Sequence, residues 1–384
     1  MSSLADLPAV DVAGVEVRHL ALPTGLPSFV LPSGHRTPTD LAALLVRVTD
    51  ADGAVGQSLL WAQAPGQLTL IEACMRHAAD ALAGIPPASP EQLASAVSAA
   101  GAFFGPTGVL RFGLSGLEMA VVDLSLRRAG ASLSSWLGRR HDQVLAYETG
   151  LMLFRSIDEL IEEGLRLHDS GRTAMKMIVG SPSIGADVER ISAVREALPS
   201  SARLMVDGLQ RWDLASALDA VDAFAGLGLD WVEDPIAHSD IAGYRTLADH
   251  AAMPIATGES HYDLERFGAL ADAGVRFVVA ELERVGGISG WLEVAELLTD
   301  TSASMLPHLY PHVSTQLVST LDQDEVWVEH VPWFDDLVGG PSEIVDGRLV
   351  VADAPGTGFD ADPDAVERLA TSPWLRLGGG RGGP

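Results

Sequence analysis

The sequence predicts an α/β protein built around a barrel of parallel strands, with an α+β domain ahead of it. Three observations carry this. From about residue 143, short apolar runs alternate with amphipathic runs of 10 to 16 residues; eight apolar runs can be counted; and the first 140 residues follow a different pattern. Strand–helix alternation of this kind indicates a parallel sheet, and eight such strands suggest closure, with chemistry at the C-terminal strand ends.

In chain order, VAGVEVRHLAL and LAALLVRVTDADGAVGQS read as antiparallel strands, DADG supplying a turn. Between them LPTGLPSFVLPSGHRTP, rich in Pro, Gly and Ser, reads as a long loop. Helical segments continue to about Arg140. The strand-then-helix units follow: VLAYETG, TAMKMIVG, RLMVDG, LDWVEDP, PIATGES, RFVVAEL and SASMLPH each precede a helical stretch, and EVWVEHV is the eighth strand. The expected division is 1–140 for the α+β domain, 141–345 for the barrel and 346–384 for a segment, including RLVVAD, that packs back on the first domain.

Composition narrows the function. The formal charge of −27, from 52 acids against 25 bases, argues against nucleic acid and against an anionic membrane. A small anionic substrate remains compatible, because a metal and a few cations reverse the field locally. No apolar run is long enough to span a bilayer, the N-terminus lacks a basic-then-apolar leader, and the single Cys74 cannot form an intramolecular disulfide. A cytoplasmic protein is expected.

Asp207 in LMVDG, Glu233 in WVEDP and Glu259 in ATGES end three consecutive strands, 26 residues apart in each case. Neighbouring strands of a barrel bring these carboxylates to one mouth, where they repel unless a cation lies between them. An all-oxygen donor set favours Mg²⁺ over Zn²⁺. His308 in MLPHLYPH and Glu281 in VAELERVGG end the next two strands in reverse order, and a carboxylate beside an imidazole makes a general base. Glu329 in WVEH completes the ring. Lys176, in AMKMIVG, is a lone cation on an otherwise apolar strand.

The stretches VDGLQRW, VEDP, TGES, ELERVGGISGW and PHLYPHVS, in this order and spacing, resemble the enolase superfamily, specifically its mandelate racemase-like subgroup that includes muconate lactonizing enzymes. The resemblance spans nearly the whole chain. It implies a modified TIM barrel, (β/α)7β, with a capping domain that carries a lid loop and is completed by the C-terminal segment. It also implies one Mg²⁺ per subunit on Asp207, Glu233 and Glu259, a small carboxylate substrate, and assembly into homo-oligomers. Lys176 and Glu329 would stabilise the enediolate formed on loss of the α-proton, with the pair His308 and Glu281 as the base on one face.

Three positions depart from the subgroup. Its second strand ends Lys-x-Lys, an apolar residue and Gly; Gly180 sets the register, so Ile178 replaces the lysine that serves as base on the opposite face. Glu281 stands where aspartate is usual, and Leu209 where asparagine is frequent. With one base left, the expected reaction is dehydration of an acid sugar or related hydroxy acid to a 2-keto acid, as in the acid-sugar dehydratases. A racemase or epimerase, and a barrel that binds metal and carboxylate without turnover, are the alternatives. Thr149, Tyr310 and His312 are further candidates for the substrate pocket, His35 and Arg36 for its distal end, and Trp61 and Trp212 read as packing.

Overall fold

The computed structural model describes residues 3–28, 36–37, 39–82, 85–105, 107–340 and 343–378. Strands β1 (Val12–Pro23), β2 (Asp40–Asp50) and β3 (Val55–Ala62) form an antiparallel meander. The β2–β3 turn uses Asp50, whose carboxylate accepts from the amides of Asp52 and Ala54. Helices α1 (Pro65–Leu82), α2 (Pro90–Ala100) and α3 (Val109–Ala129) follow, and α1 and α3 pack against this sheet. The short α4 (Leu133–Leu137) leads into the barrel.

The barrel strands are β4 (Gln143–Gly150), β5 (Ala174–Ile178), β6 (Arg203–Asp207), β7 (Val232–Glu233), β8 (Ile255–Thr257), β9 (Phe277–Glu281), β10 (Ser304–His308) and β11 (Trp327–His330). They pair in parallel and in sequence from β4 to β10, and β11 returns to pair with β4. β10 and β11 lie side by side but form no ladder, so the barrel closes with a seam. Between the strands run α5 (Ile157–Asp169), α6 (Ile184–Ala197), α7 (Leu214–Phe224), α8 (Ile241–His250), α9 (Leu264–Asp272), the single turn α10 (Leu282–Val285), α11 (Gly287–Leu298) and α12 (Pro311–Val318). Ser156, Ser183, Asp213, Asp240 and Asp263 cap the N-termini of α5 to α9, each accepting a hydrogen bond from an amide of the first turn.

Each barrel strand, or its immediate approach, contributes one inward residue to a plug: Tyr147, Ala174, Met205, Trp231, Ala256, Val279, Leu306 and Trp327. Three large rings are matched by two alanines, as filling a narrow cylinder at close-packed density demands.

The C-terminal segment divides its contacts. After β12 (Ile344–Val345), Asp346 and Gly347 both adopt positive φ, which reverses the chain in a two-residue turn into β13 (Arg348–Val350). β13 pairs antiparallel with β4, so the RLVVAD strand expected on the first domain extends the barrel instead. After α13 (Pro363–Leu369), β14 (Leu375–Leu377) pairs with β1 in the N-terminal sheet. Arg47 stacks over Trp374 at 4.1 Å from the ring centroid, and Arg18 pairs with Glu367.

The two domains are joined through buried charge. Glu118 of α3 accepts from the amides of Ile288 and Ser289 and from the Ser289 hydroxyl, so a carboxylate of one domain caps the N-terminus of a helix in the other. Gly287, at φ +82, is required there because a Cβ would collide with that carboxylate.

Candidate active site

Two residues beyond the plug, on the same inward face, the side chains become charged. Stepping from Tyr147, Ala174, Met205, Trp231, Val279, Leu306 and Trp327 gives Thr149, Lys176, Asp207, Glu233, Glu281, His308 and Glu329. The period of two along a strand places them in one layer. On β8 the same step lands on Gly258, at φ +139, whose Cβ would fall 2.5 Å from the carbonyl oxygen of Val279. The chain turns there and Glu259 reaches the mouth instead.

Lys176 sits at the centre of the acids. Its ammonium lies 2.5 Å from Glu233 Oε1, 3.1 Å from Glu329 Oε1 and 3.4 Å from Asp207 Oδ2, with the Tyr147 ring below it at 5.5 Å. Burial disfavours the charged lysine, but Glu233 and Glu329 outweigh it and raise its pKa well above the ordinary value. Burial pushes the Glu233 carboxyl up to about 7 against the pull of Lys176, and burial likewise raises Asp207, with Glu259 adding to the rise. Glu329 is also opposed by burial, yet Lys176, His308 and the Thr149 hydroxyl hold it at about 2. Thr149 donates to Glu329 Oε1 at 2.5 Å, the amide of Leu209 donates to Asp207 Oδ1 at 2.8 Å, and Trp231 Nε1 donates to Glu233 Oε2 at 3.1 Å.

Burial, opposed by this one ammonium, therefore leaves Asp207 and Glu233 with raised pKa values. Their hard oxygen donors, with Glu259 just beyond the next strand, suit a divalent cation such as Mg²⁺. Among the described residues no cage stands ready for an ion. Lys176 holds Glu233, and Glu259 is turned toward His308, its Oε2 lying 3.2 Å from Nε2.

The other ring nitrogen of His308, Nδ1, lies 3.3 Å from Glu281 Oε1, within ion-pair range but not aligned as a hydrogen bond. Glu281 is shared: its second oxygen pairs with Arg284, three residues on and one turn up α10. Arg284 escaped the sequence reading. Its only signal was the spacing of three from Glu281, which puts both on one side of a helical turn.

Above the charged layer opens a cavity of about 220 Å³, lined by Thr149, Lys176, Asp207, Glu259, His308 and Glu329 from below, with Ile178, Leu209 and Arg284 among its walls. The first domain supplies Thr24, Leu26, Thr37, Leu41, Trp61 and Gln63. Trp61, expected to be packing, thus faces the cavity, beside Trp333 at 6.4 Å between ring centroids; Trp212 does pack, against Phe224. Tyr310 does not line the cavity. It leaves β10 at positive φ, stacks on Phe334 at 5.8 Å and donates its hydroxyl to Glu283. His312 is absent from the lining as well, and burial lowers its pKa to about 4. Arg36 is exposed and donates to the Ser28 carbonyl at 3.4 Å, while His35 lies outside the described residues.

Residues 159–365 match the family described as Enolase C-terminal domain-like. The L-talarate/galactarate dehydratase of Salmonella typhimurium is 30% identical over 359 residues, covering 93% of this chain and 90% of the relative. The D-galactarolactone cycloisomerase of Agrobacterium fabrum is 27% identical over 85% of this chain and 90% of its own. Among solved structures, the L-talarate dehydratase from Polaromonas sp. JS666, complexed with Mg and L-glucarate, superposes with a TM-score of 0.89 at 29% identity over 96% of this chain and 99% of that one.

Proposed function

Because the chain belongs to the enolase superfamily, in its mandelate racemase and muconate lactonizing enzyme branch, we propose that it removes the α-proton of a hydroxylated carboxylic acid and eliminates the β-hydroxyl, giving a 2-keto acid. The observation that carries this reading is the single imidazole at the cavity floor, His308, facing a wall where Ile178 offers no second base. Mg²⁺, which the relatives' structures contain, would be held by Asp207, Glu233 and Glu259 and would supply a Lewis acid for the substrate carboxylate. Holding it requires Glu233 to release Lys176 and Glu259 to turn from His308.

The chain's own residues do the rest. Lys176, freed from Glu233, presents its ammonium to the carboxylate as negative charge accumulates on the enediolate. Glu329, anchored by Thr149, keeps Lys176 in place. His308 Nε2 takes the α-proton, and Glu281 below Nδ1 favours the imidazolium so formed. Collapse of the enediolate breaks the bond to the β-oxygen, which leaves as water with the proton His308 carries; the enol then becomes the 2-keto acid. Capture of α-deuterium from D₂O and appearance of 2-keto acid, screened over hydroxy acids with Mg²⁺, test this. His308→Asn abolishes both; turnover surviving that substitution sinks the mechanism.

One observation favours a second reading. Glu281 is drawn to Arg284 and is not hydrogen-bonded to His308, which suits a site that binds carboxylate without turnover. Tight binding of hydroxy acids with no α-proton exchange would select it.

A further inference from the structure

The cavity is divided by strand. At or just past the C-terminal ends of four adjacent barrel strands, β11, β4, β5 and β6, the lining residues are Val331, Met152, Ile178 and Leu209. Two of them continue the inward period of two one step above the charged layer, Glu329 to Val331 and Lys176 to Ile178, while Leu209 reaches the cavity from a left-handed turn at φ +47 just after Asp207. Facing them, the segments at the ends of β8 to β10 present Glu259, Arg284 and His308, with Leu309 beside His308. The first domain adds Leu26, Leu41 and Trp61 to the apolar part of the lining.

The polar groups along the apolar arc are already engaged. Thr149 donates to Glu329, and Lys176 is held among three carboxylates. On the side of the first domain, Thr24 donates to the Thr39 carbonyl and accepts from the amide of Leu26, and Gln63 lies by Glu283 and Arg284 on the opposite side. A chain of hydroxyls lying along this wall would lose water without gaining partners, whereas a hydrocarbon group would gain burial.

Resting on the function read above, we propose that the substrate carries its carboxylate and α-carbon at the charged layer and a branched-alkyl or aryl tail against the Met152–Ile178–Leu209–Val331 wall. It is a 2,3-dihydroxy acid with an apolar end rather than a sugar acid hydroxylated along its length.

The test uses the whole protein with Mg²⁺ and paired acids of equal length, one member bearing a phenyl or branched-alkyl end and the other hydroxyls throughout. Binding is followed by calorimetry, α-proton exchange by NMR in D₂O, and 2-keto acid by derivatisation. The apolar member is expected to bind and exchange at least about ten-fold better. Met152→Gln and Leu209→Asn, each with an unchanged far-UV spectrum, should shrink that ratio. Equal or better exchange with the polyhydroxylated acids overturns the apolar tail while leaving the reaction class standing. Binding of apolar acids without exchange overturns the reaction class and keeps the wall, and failure of both acid classes to bind or exchange sinks both.

Discussion

Glu283 offers a test of how the two domains are held around the cavity. It is fully buried on α10, between the residue that flanks His308 and Arg284 in the cavity wall. Its Oε1 accepts from the Trp61 amide at 2.6 Å and from the Tyr310 hydroxyl, while Oε2 is buried with no partner. Burial pushes this carboxyl up to about 8, against the pull of Tyr310, Trp61 and His308. An unfolded glutamate titrates near 4.3, so from roughly pH 4.5 to 8 the folded chain holds a proton the unfolded chain has lost. Stability must therefore fall as pH rises through that window. At about 1.4 kcal/mol for each pH unit the full effect is on the order of 5 kcal/mol, complete above the folded-state pKa. Glu283→Gln keeps an acceptor for Trp61 and Tyr310 but cannot ionise. Urea unfolding at pH 5.5, 7 and 8.5 should show wild type losing stability relative to the variant at each step. Parallel pH curves for the two proteins would refute the buried proton.

Other expectations are briefer. Mg²⁺ at about a hundred times its Kd should stabilise wild type by about 2.7 kcal/mol, a rise in Tm that Asp207→Asn removes; a rise surviving that change would place the ion elsewhere. Ile178→Lys restores an amine on the wall lacking a base, and deuterium should then enter the α-carbon from both faces, giving racemised substrate by chiral chromatography. Retained stereochemistry would show that the missing lysine is not what limits the reaction to one face. Glu118→Ala strips the cap from α11 and leaves two amides and a hydroxyl without their acceptor, so unfolding should become easier by about 2 to 4 kcal/mol.

The alternation of apolar strands and capped helices was legible in the sequence because each is a local pattern, a period of two against one of 3.6, punctuated by Ser and Asp caps. The charged layer was legible for the same reason: Asp207, Glu233, Glu281 and His308 each close a strand, Glu329 is one residue short of its strand's end and Glu259 two past its own, and parallel strands carry their ends to one mouth. What lies off the strands was not legible. Positive φ at Leu309 and Tyr310 turns the Tyr310 ring out of the cavity toward Glu283, although its sequence neighbour His308 points in. Asp346 and Gly347 send β13 to the barrel, and Trp61 is held at the cavity where Glu118 of the first domain and Glu283 of the barrel tie the two together across more than 160 residues of chain. Which residues end a strand follows from neighbours a few positions apart. Which side chains share a wall follows from hydrogen bonds and packing between segments far apart in the chain, and no local period encodes those.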